Sequence, residues 1–369
     1  MIKIKTAFIT FFPINPNNMG SSTVINSRFN SWLTVKKIFQ ISHLKKINNK
    51  NIKTIFIKKE TPLLKILSLP KLIIEVTNYL KFSKKKIVII EGASWIFYSF
   101  FTIILLRIML KDCKIIYISH SIESEIRKKY SNFFIYFLTK YLENLVFKFS
   151  EISTSVSNYE KKKIFNYYKK KTVIYPNAIN LINFKPTKKK KIDYIIYTGS
   201  YFYKPNKEAI DYLNNYLMPR LIKIFPKLKL VLTGGGFDKK FPWLINKGIV
   251  SKKKMYNLIF NSKCMCVPLN FGSGTRIKII EALSIGTIVI STPKGIEGIK
   301  LKNKNPPFIL KNRKLIINTI INIMKNQKSL KIRASLDKEY YKRFYSMNNI
   351  TKKFINNNLS KYFHEFKNL

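Results

Sequence analysis

The chain has 369 residues, 46% of them hydrophobic, enough for two ordinary domains with full cores and too many for a disordered polymer. Its formal net charge of +51 would suit nucleic acid, yet only eight of its 69 basic residues are arginine, the side chain that reads base edges by paired hydrogen bonds. Lysine, isoleucine and asparagine are all abundant, as an AT-rich genome encodes. No nucleic-acid partner is therefore expected, and the excess charge instead favours anionic membrane lipid and phosphorylated substrates. Cys113, Cys264 and Cys266 are too few for a disulfide framework. Cys264 and Cys266 lie i, i+2 on a predicted strand and read as core rather than as a zinc set.

Met1–Lys5 runs directly into a strand, Lys5–Phe12, rather than into the apolar segment of a leader, so a reduced, cytoplasmic setting is expected. A loop from Asn15 to Ser22 carries Gly20, and a helical pattern of Ile25, Phe29, Trp32 and Leu33 follows. Asn51–Ile57 and Lys86–Ile90 are further strands. The second ends in Glu91-Gly92-Ala93-Ser94, where Glu91 and Ser94 either meet a ligand beyond the strand end or, the favoured alternative, form a capping turn before Trp95. Trp95–Leu110 is strongly apolar but spans about sixteen residues, short of the roughly twenty that a membrane-spanning helix needs, and reads as a buried or interfacial helix.

Cys113–Ser119 is a strand ending at His120, whose ring can donate or accept near neutral pH. Tyr136–Phe149 reads as a helix containing Glu143, Glu151–Ser157 as a strand, and Asn158–Tyr168 as a helix. Thr172–Ala178 closes the first half. The lysine-rich stretch Lys185–Lys191 is the best boundary, giving domains at 1–184 and 185–345 with a terminal helical segment at 346–369.

The second half opens with a strand, Tyr194–Thr198, followed by Gly199, Ser200 and Lys204. A helix at Glu208–Leu221 and a strand at Leu228–Thr233 come next, and Val250 precedes a helix at Lys253–Asn261. Met265–Leu269 is a strand that runs into Phe271-Gly272-Ser273-Gly274-Thr275. Two glycines and two hydroxyls there make a tight turn with outward amides. Arg276, Lys278 and Glu281 follow on a helix ending at Gly286. Thr287–Ser291 and Phe308–Leu310 are strands. A helix at Leu315–Lys325 and a long helical tail at Leu336–Phe366 complete the chain. Strand, glycine turn, helix and strand form a βαβ unit whose helix start attracts anions. Amides with Arg276 and Lys278 suit a diphosphate, and the acceptor-only carboxylate of Glu281 suits a ribose hydroxyl pair. An ordinary turn with a solvated basic helix start fits these residues equally well.

The segment G-S-G-T-R-I-K-I-I-E-A-L-S-I-G-T-I-V-I-S-T-P-K-G-I-E-G, from Gly272 to Gly298, resembles the donor-site signature of the family-4 (group 1) retaining glycosyltransferases, in the branch with a GxGTR-x-K-x-x-E-A-L pattern. The resemblance implies an α/β fold of the GT-B type, two Rossmann-like doubly wound domains facing a cleft, with the terminal helix returning to the first. It implies retaining, metal-independent transfer of a sugar from a nucleotide-sugar donor, a co-substrate rather than a cofactor. The acceptor would be a glycan or lipid-linked molecule in cell-surface polysaccharide synthesis, with peripheral contact to an anionic membrane. It assigns Glu281 to the ribose, the amides of Gly272, Ser273, Gly274 and Thr275 with Arg276 and Lys278 to the diphosphate, and the backbone at Val250 to the base edge. Ser200 and Lys204 fall where many relatives carry an arginine and a lysine, and Gly20 lies in the loop where phosphate or acceptor approaches. H-S-I-E, from His120 to Glu123, resembles the family's H-x-x-E, whose histidine lines the sugar site. Ser273 stands where the family usually has a first glutamate, and Ala178 where it usually has glycine. An epimerase on the same fold and a non-catalytic nucleotide-sugar binder are the alternatives.

Overall fold

The computed structural model describes residues 4–11, 20–35, 39–42, 66–93, 95–180, 184, 187, 192–272, 274–303 and 307–360. The chain divides into two compact units. One comprises Ser21–Asn177 with the first strand and the segment that begins at Met347. The other comprises Ala178–Ser346. The predicted strand Asn51–Ile57, the lysine run Lys188–Lys191, Ser94 and Ser273 lie outside the described residues.

The first unit is built on six parallel strands: β1 (Ile4–Thr10), β2 (Phe39–Ser42), β3 (Lys85–Gly92), β4 (Cys113–Ser119), β5 (Ile152–Ser155) and β6 (Val173–Ile174), in the order β2-β1-β3-β4-β5-β6. β3 and β4 are near-continuous apolar runs because helices cover both faces of a parallel sheet. Its helices are α1 (Gly20–Val35), α2 (Leu69–Leu80), α3 (Ile96–Met109), α4 (Glu123–Tyr130), α5 (Phe133–Phe149) and α6 (Asn158–Tyr168). Leu72, Ile73 and Val76 of α2 join Ala7, Ile9, Val88 and Ile90 of the strands in one buried core. Trp95–Leu110 becomes α3, which buries Ile96, Tyr98, Ile103 and Leu106 and exposes Phe101, Ile108 and Met109. Among the described residues no helix is long and apolar enough to cross a membrane. α5 starts one turn earlier than its apolar pattern predicts, because the Asn132 side chain accepts the Ile135 amide at 2.9 Å and caps it.

The second unit has β7 (Tyr194–Thr198), β8 (Lys229–Thr233), β9 (Leu244–Asn246), β10 (Cys264–Val267), β11 (Val289–Ser291) and β12 (Phe308–Ile309), again all parallel, ordered β12-β11-β10-β7-β8-β9. Counted from β7 this is the doubly wound order 3-2-1-4-5-6, and the winding reverses between β7 and β10. Its helices are α7 (Lys204–Tyr212), α8 (Met218–Ile224), α9 (Lys252–Asn261), α10 (Ile277–Ile285), α11 (Leu315–Lys325), α12 (Gln327–Leu336) and α13 (Lys338–Phe344). The single helix predicted at Glu208–Leu221 is in fact α7 and α8 joined by a π turn at Leu213–Leu217. Pro219 is the reason: its ring nitrogen cannot donate to the preceding turn, so the helix widens there. α10 ends as expected at Gly286, whose φ of 80° is left-handed.

The tail is not one helix from Leu336. α12 begins earlier, α13 follows, and α14 (Met347–Asn358) belongs to the first unit. There Phe354 stacks on Tyr175 at 4.5 Å, and Thr351 Oγ1 lies 2.8 Å from the Tyr175 hydroxyl. Ser31 donates to Asn348 at 3.0 Å.

Candidate functional site

In doubly wound sheets, ligands sit beyond the strand carboxyl ends where the winding reverses. In the second unit that point lies between the ends of β7 and β10, which pair directly through Ile195–Cys264 and Ile196–Met265. β7 delivers Gly199 and Ser200 there, and β10 delivers the turn that ends in Arg276. Gly272 and Gly274 have φ of 118° and 73°, conformations that glycine alone adopts without strain. The Arg276 guanidinium folds back to donate from Nη1 to the Gly274 carbonyl. A Cβ on Gly272 would lie 2.9 Å from Arg276 Nη2, so the turn and the guanidinium are in close contact. Arg276 precedes α10, and among the described residues no side chain caps that helix. The Ile279 amide donates to the Arg276 carbonyl at 2.9 Å, and a helix start without a side-chain cap favours an anion. The Thr275 hydroxyl is buried with no hydrogen-bond partner among the described residues.

At the second position of α10, Lys278 Nζ lies 3.0 Å from Asn206 Oδ1 and 4.0 Å from the centroid of the Tyr197 ring. The same Asn206 oxygen accepts from the Tyr197 hydroxyl at 2.7 Å, and its amide donates to the Ser200 carbonyl at 2.9 Å. A Cβ on Gly199 would sit 2.7 Å from Lys278 Nζ. Burial, aided by the Arg276 charge, pushes the Lys278 ammonium down to about 7.

Glu281 is buried one turn further on. It accepts from the Tyr256 hydroxyl at 3.1 Å and lies 3.7 Å from Lys252 Nζ, both on α9. Burial raises its pKa, and Lys252 and Tyr256 oppose the rise. Val250 sits just before Ser251, whose side chain caps α9 by accepting the Lys254 amide at 3.3 Å. Among the predicted residues, then, Gly272, Gly274, Thr275, Arg276 and Lys278 gather with Ser200, while Glu281 is tied to the start of α9. Lys204 is exposed at the first position of α7. Gly20 heads α1, and a Cβ there would meet nothing, so no steric need for glycine is visible. Asn206 is the member that the sequence reading did not assign to the site. Its signal is the Pro205-Asn206 pair following the strand.

The first unit holds a second polar cluster, around His120 at the end of β4. Arg28 of α1 and Glu91 of β3 are fully buried and paired, Nη1 reaching Oε2 at 2.8 Å and Oε1 at 3.0 Å. Arg28 Nη2 also donates to Asn177 Oδ1 at 3.1 Å, and its carbon lies 4.7 Å over the Tyr175 ring. His120 Nε2 makes a short hydrogen bond to Glu91 Oε2 and lies 3.1 Å from Arg28 Nη1. Burial raises the Glu91 carboxyl, but Arg28 and His120 outweigh it and hold the group below the usual range. Glu91 is therefore ionised, and Nε2 must be the proton donor to it. A nitrogen carrying that proton cannot also accept from Arg28, so the Arg28 approach is electrostatic contact only. The neutral ring favoured by burial, which lowers the His120 pKa against the pull of Glu91, keeps Nδ1 as its one acceptor.

Glu91 is thus a buried anchor for a histidine, not a polar tip. Glu123 accepts the Ile96 amide at 2.7 Å, and burial raises the Glu123 carboxyl to about 7. Glu143 in turn accepts the Glu123 amide at 2.7 Å and the Tyr168 hydroxyl at 2.5 Å. The glutamate of H-S-I-E is accordingly used to start a neighbouring helix. Among the described residues no group of three or more histidine, cysteine or acidic side chains is placed to hold a metal ion. The three cysteines are free and buried.

Residues 192–326, which contain this switch-point turn, match the family profile described as glycosyl transferases group 1. No curated protein matches the chain by sequence. Solved structures resemble it along its whole length. HepE of Anabaena, in complex with UDP-glucose, has a TM-score of 0.68 at 11% identity, covering 97% of this chain and 99% of its own. A glycosyltransferase of Rickettsia africae has a TM-score of 0.65 at 14% identity, covering 100% of both chains. The trehalose-6-phosphate synthase OtsA has a TM-score of 0.72 at 9% identity, covering 99% of both. The fold is GT-B. Within GT-B, the turn from Gly272 to Lys278 lies in the unit that the family profile matches.

Proposed function

We propose that the protein is a glycosyltransferase that moves a sugar from a nucleotide-sugar donor to a glycan or lipid-linked acceptor, with retention and without a metal. The observation that carries the reading is the convergence of Arg276 and Lys278 with Gly199 and Asn206 at the point where the winding reverses. Cations and the amides of the helix start there suit the diphosphate of the donor, and the family match over residues 192–326 supports the assignment. HepE, of the same fold, binds UDP-glucose, which makes a uridine diphosphate sugar the first donor to test.

The chemistry follows from these groups. As the bond between sugar and phosphate breaks, negative charge grows on the leaving diphosphate. Arg276, Lys278 and the amides of Gly274 and Thr275 stabilise that charge. The acceptor hydroxyl attacks from the face the phosphate leaves, and the departing phosphate takes its proton. His120 meets the transferred sugar or the acceptor hydroxyl, with Nδ1 accepting its hydrogen bond. Glu281 accepts from the ribose hydroxyls, backbone at Val250 edges the base, and Ser200, Lys204 and the Gly20 loop contribute phosphate or acceptor contacts. We place the protein in the cytoplasm, peripheral to the inner face of a membrane, in synthesis of a cell-surface polysaccharide.

A thermal-shift series of nucleoside diphosphates, followed by transfer assays with the nucleotide sugar that stabilises most, tests the reading. Stabilisation by a diphosphate and release of that diphosphate with an acceptor support it. No response to any diphosphate or nucleotide sugar overturns it. Ser273, in place of the family's first glutamate, favours one second reading, a non-catalytic nucleotide-sugar binder. Binding without transfer or donor hydrolysis would select it. Conversion of donor alone to its epimer would select an epimerase.

A further inference from the structure

α5 presents an outward face that the fold of its own unit does not explain. Its inner side buries Thr139, Leu142, Glu143, Val146 and Phe147. Its outer side exposes Phe133 to 76%, Phe134 to 72%, Phe137 to 50% and Tyr141 to 62%. The Asn132 cap fixes the first two phenylalanines at the helix start, and the Phe133 and Phe137 rings pack at 4.4 Å. Four large aromatics on two turns form a contiguous patch of the kind soluble surfaces rarely carry without a partner.

The charge around the patch indicates what that partner is. Immediately before it, α4 ends in Lys128, Lys129 and Tyr130, all exposed. From Arg127 to Tyr141 there is no acidic residue, and Lys140 adds another cation. Further along the outer face the aromatics give way to exposed Asn144 and Lys148. Aromatic side chains rimmed by lysine are the chemistry of a membrane interface, where rings settle at headgroup depth and cations meet anionic lipid. A second copy of this chain fits less well. A two-fold contact through this face would set the same lysines against themselves.

We propose that the corner between α4 and α5 docks the protein on an anionic lipid bilayer, with Phe133, Phe134 and Phe137 entering the interface and Lys128 and Lys129 contacting headgroups. This deepens the reading of a membrane-peripheral transferase and rests on it only for the purpose of docking. The test needs no turnover.

Full-length protein is mixed with phosphatidylcholine vesicles, with and without phosphatidylglycerol, and sedimented. An environment-sensitive fluorophore on F134C reports insertion, since Cys113, Cys264 and Cys266 are buried and do not compete for label. Docking predicts a blue shift with phosphatidylglycerol vesicles and none with phosphatidylcholine alone. The variant F133S/F134S/F137S, with unchanged charge, should need at least about tenfold more lipid for half-binding, since three buried rings are lost. K128Q/K129Q should weaken binding severalfold more than K161Q/K162Q, which removes the same charge from exposed positions of α6. Sedimentation without a blue shift, equal effects of the two lysine pairs, or a blue shift in lipid-free protein that grows with concentration would each overturn the proposal, the last in favour of self-association. Vesicle docking by a protein that binds no diphosphate would leave this inference standing and remove the transferase reading. A transferase without docking would do the reverse.

Discussion

Glu91 holds His120 by its Nε2 proton, and both are buried at the carboxyl ends of neighbouring strands. The relationship sets the tautomer of the ring and leaves Nδ1 as its acceptor. In nitrogen-15 spectra of histidine-labelled protein near neutral pH, His120 should show a protonated Nε2 and a bare Nδ1, with H120N identifying the signal. Glu91 also raises the His120 pKa against burial. E91Q should therefore move that pKa lower, and the acid limb of the transfer profile should shift to lower pH with it. An unchanged titration would show that Glu91 does not govern the ring.

Arg28 carries the counter-charge. Its removal leaves Glu91 ionised in a fully buried site with only His120 for company. R28A should cost about 3–5 kcal/mol, the range for breaking a buried pair from one side. Chemical denaturation reads this directly, and a loss below about 1 kcal/mol, typical of an exposed pair, would mean that water reaches the site.

In the proposed diphosphate site, Lys278 would make nucleotide binding proton-linked. With its pKa near 7 it is only partly charged in the free protein, and a diphosphate should draw in a proton. Calorimetry of UDP binding at pH 8 in buffers of different ionisation enthalpy should show uptake, which K278Q abolishes. Affinity should fall as pH rises above 7, approaching about tenfold per unit for one linked proton. The sign for folding is opposite. The native pKa lies below the unfolded value, so the penalty for burying this charge is relieved as pH climbs from about 7 toward roughly 10.4.

The proposed function gives Arg276 a leaving-group role and Glu281 a nucleotide role. R276A should lower turnover on the order of 10²–10³-fold, as loss of one preorganised donor to developing charge does, with the circular dichroism spectrum unchanged. E281Q keeps an acceptor for Tyr256 but loses its charge. It should weaken UDP affinity more than it slows saturated turnover. Wild-type kinetics in R276A, or wild-type UDP affinity in E281Q, would remove the respective role.

Much of the architecture was legible because it rests on periodicity. Cys113–Ser119, Asn158–Tyr168, Tyr194–Thr198 and Leu315–Lys325 have the bounds their patterns predict. Short edge strands such as Phe39–Ser42 and Leu244–Asn246 were not visible, since three or four residues hold too little alternation to read. The turn from Gly272 to Lys278 was legible through its glycines. Asn206 was legible only as half of the Pro205-Asn206 pair after the strand, since its contacts with Lys278 and Tyr197 depend on two strands being neighbours across the reversal. Arg28 did leave a sign. It falls within the apolar spacing of Ile25, Phe29 and Trp32, where a cation must find a buried partner. Which partner, Glu91, only the pairing of β1 with β3 could disclose.

α14 gives the first unit a dependence in time. Phe354 covers one face of Tyr175, and Arg28 lies over the same ring. The ribosome makes Tyr175 long before Phe354, with all of Ala178–Ser346 emerging between them. During translation the first unit must therefore wait, its aromatic floor uncovered, while the second is synthesised and free to fold. Chaperone dependence in the cell should track that interval rather than the equilibrium stability of either unit.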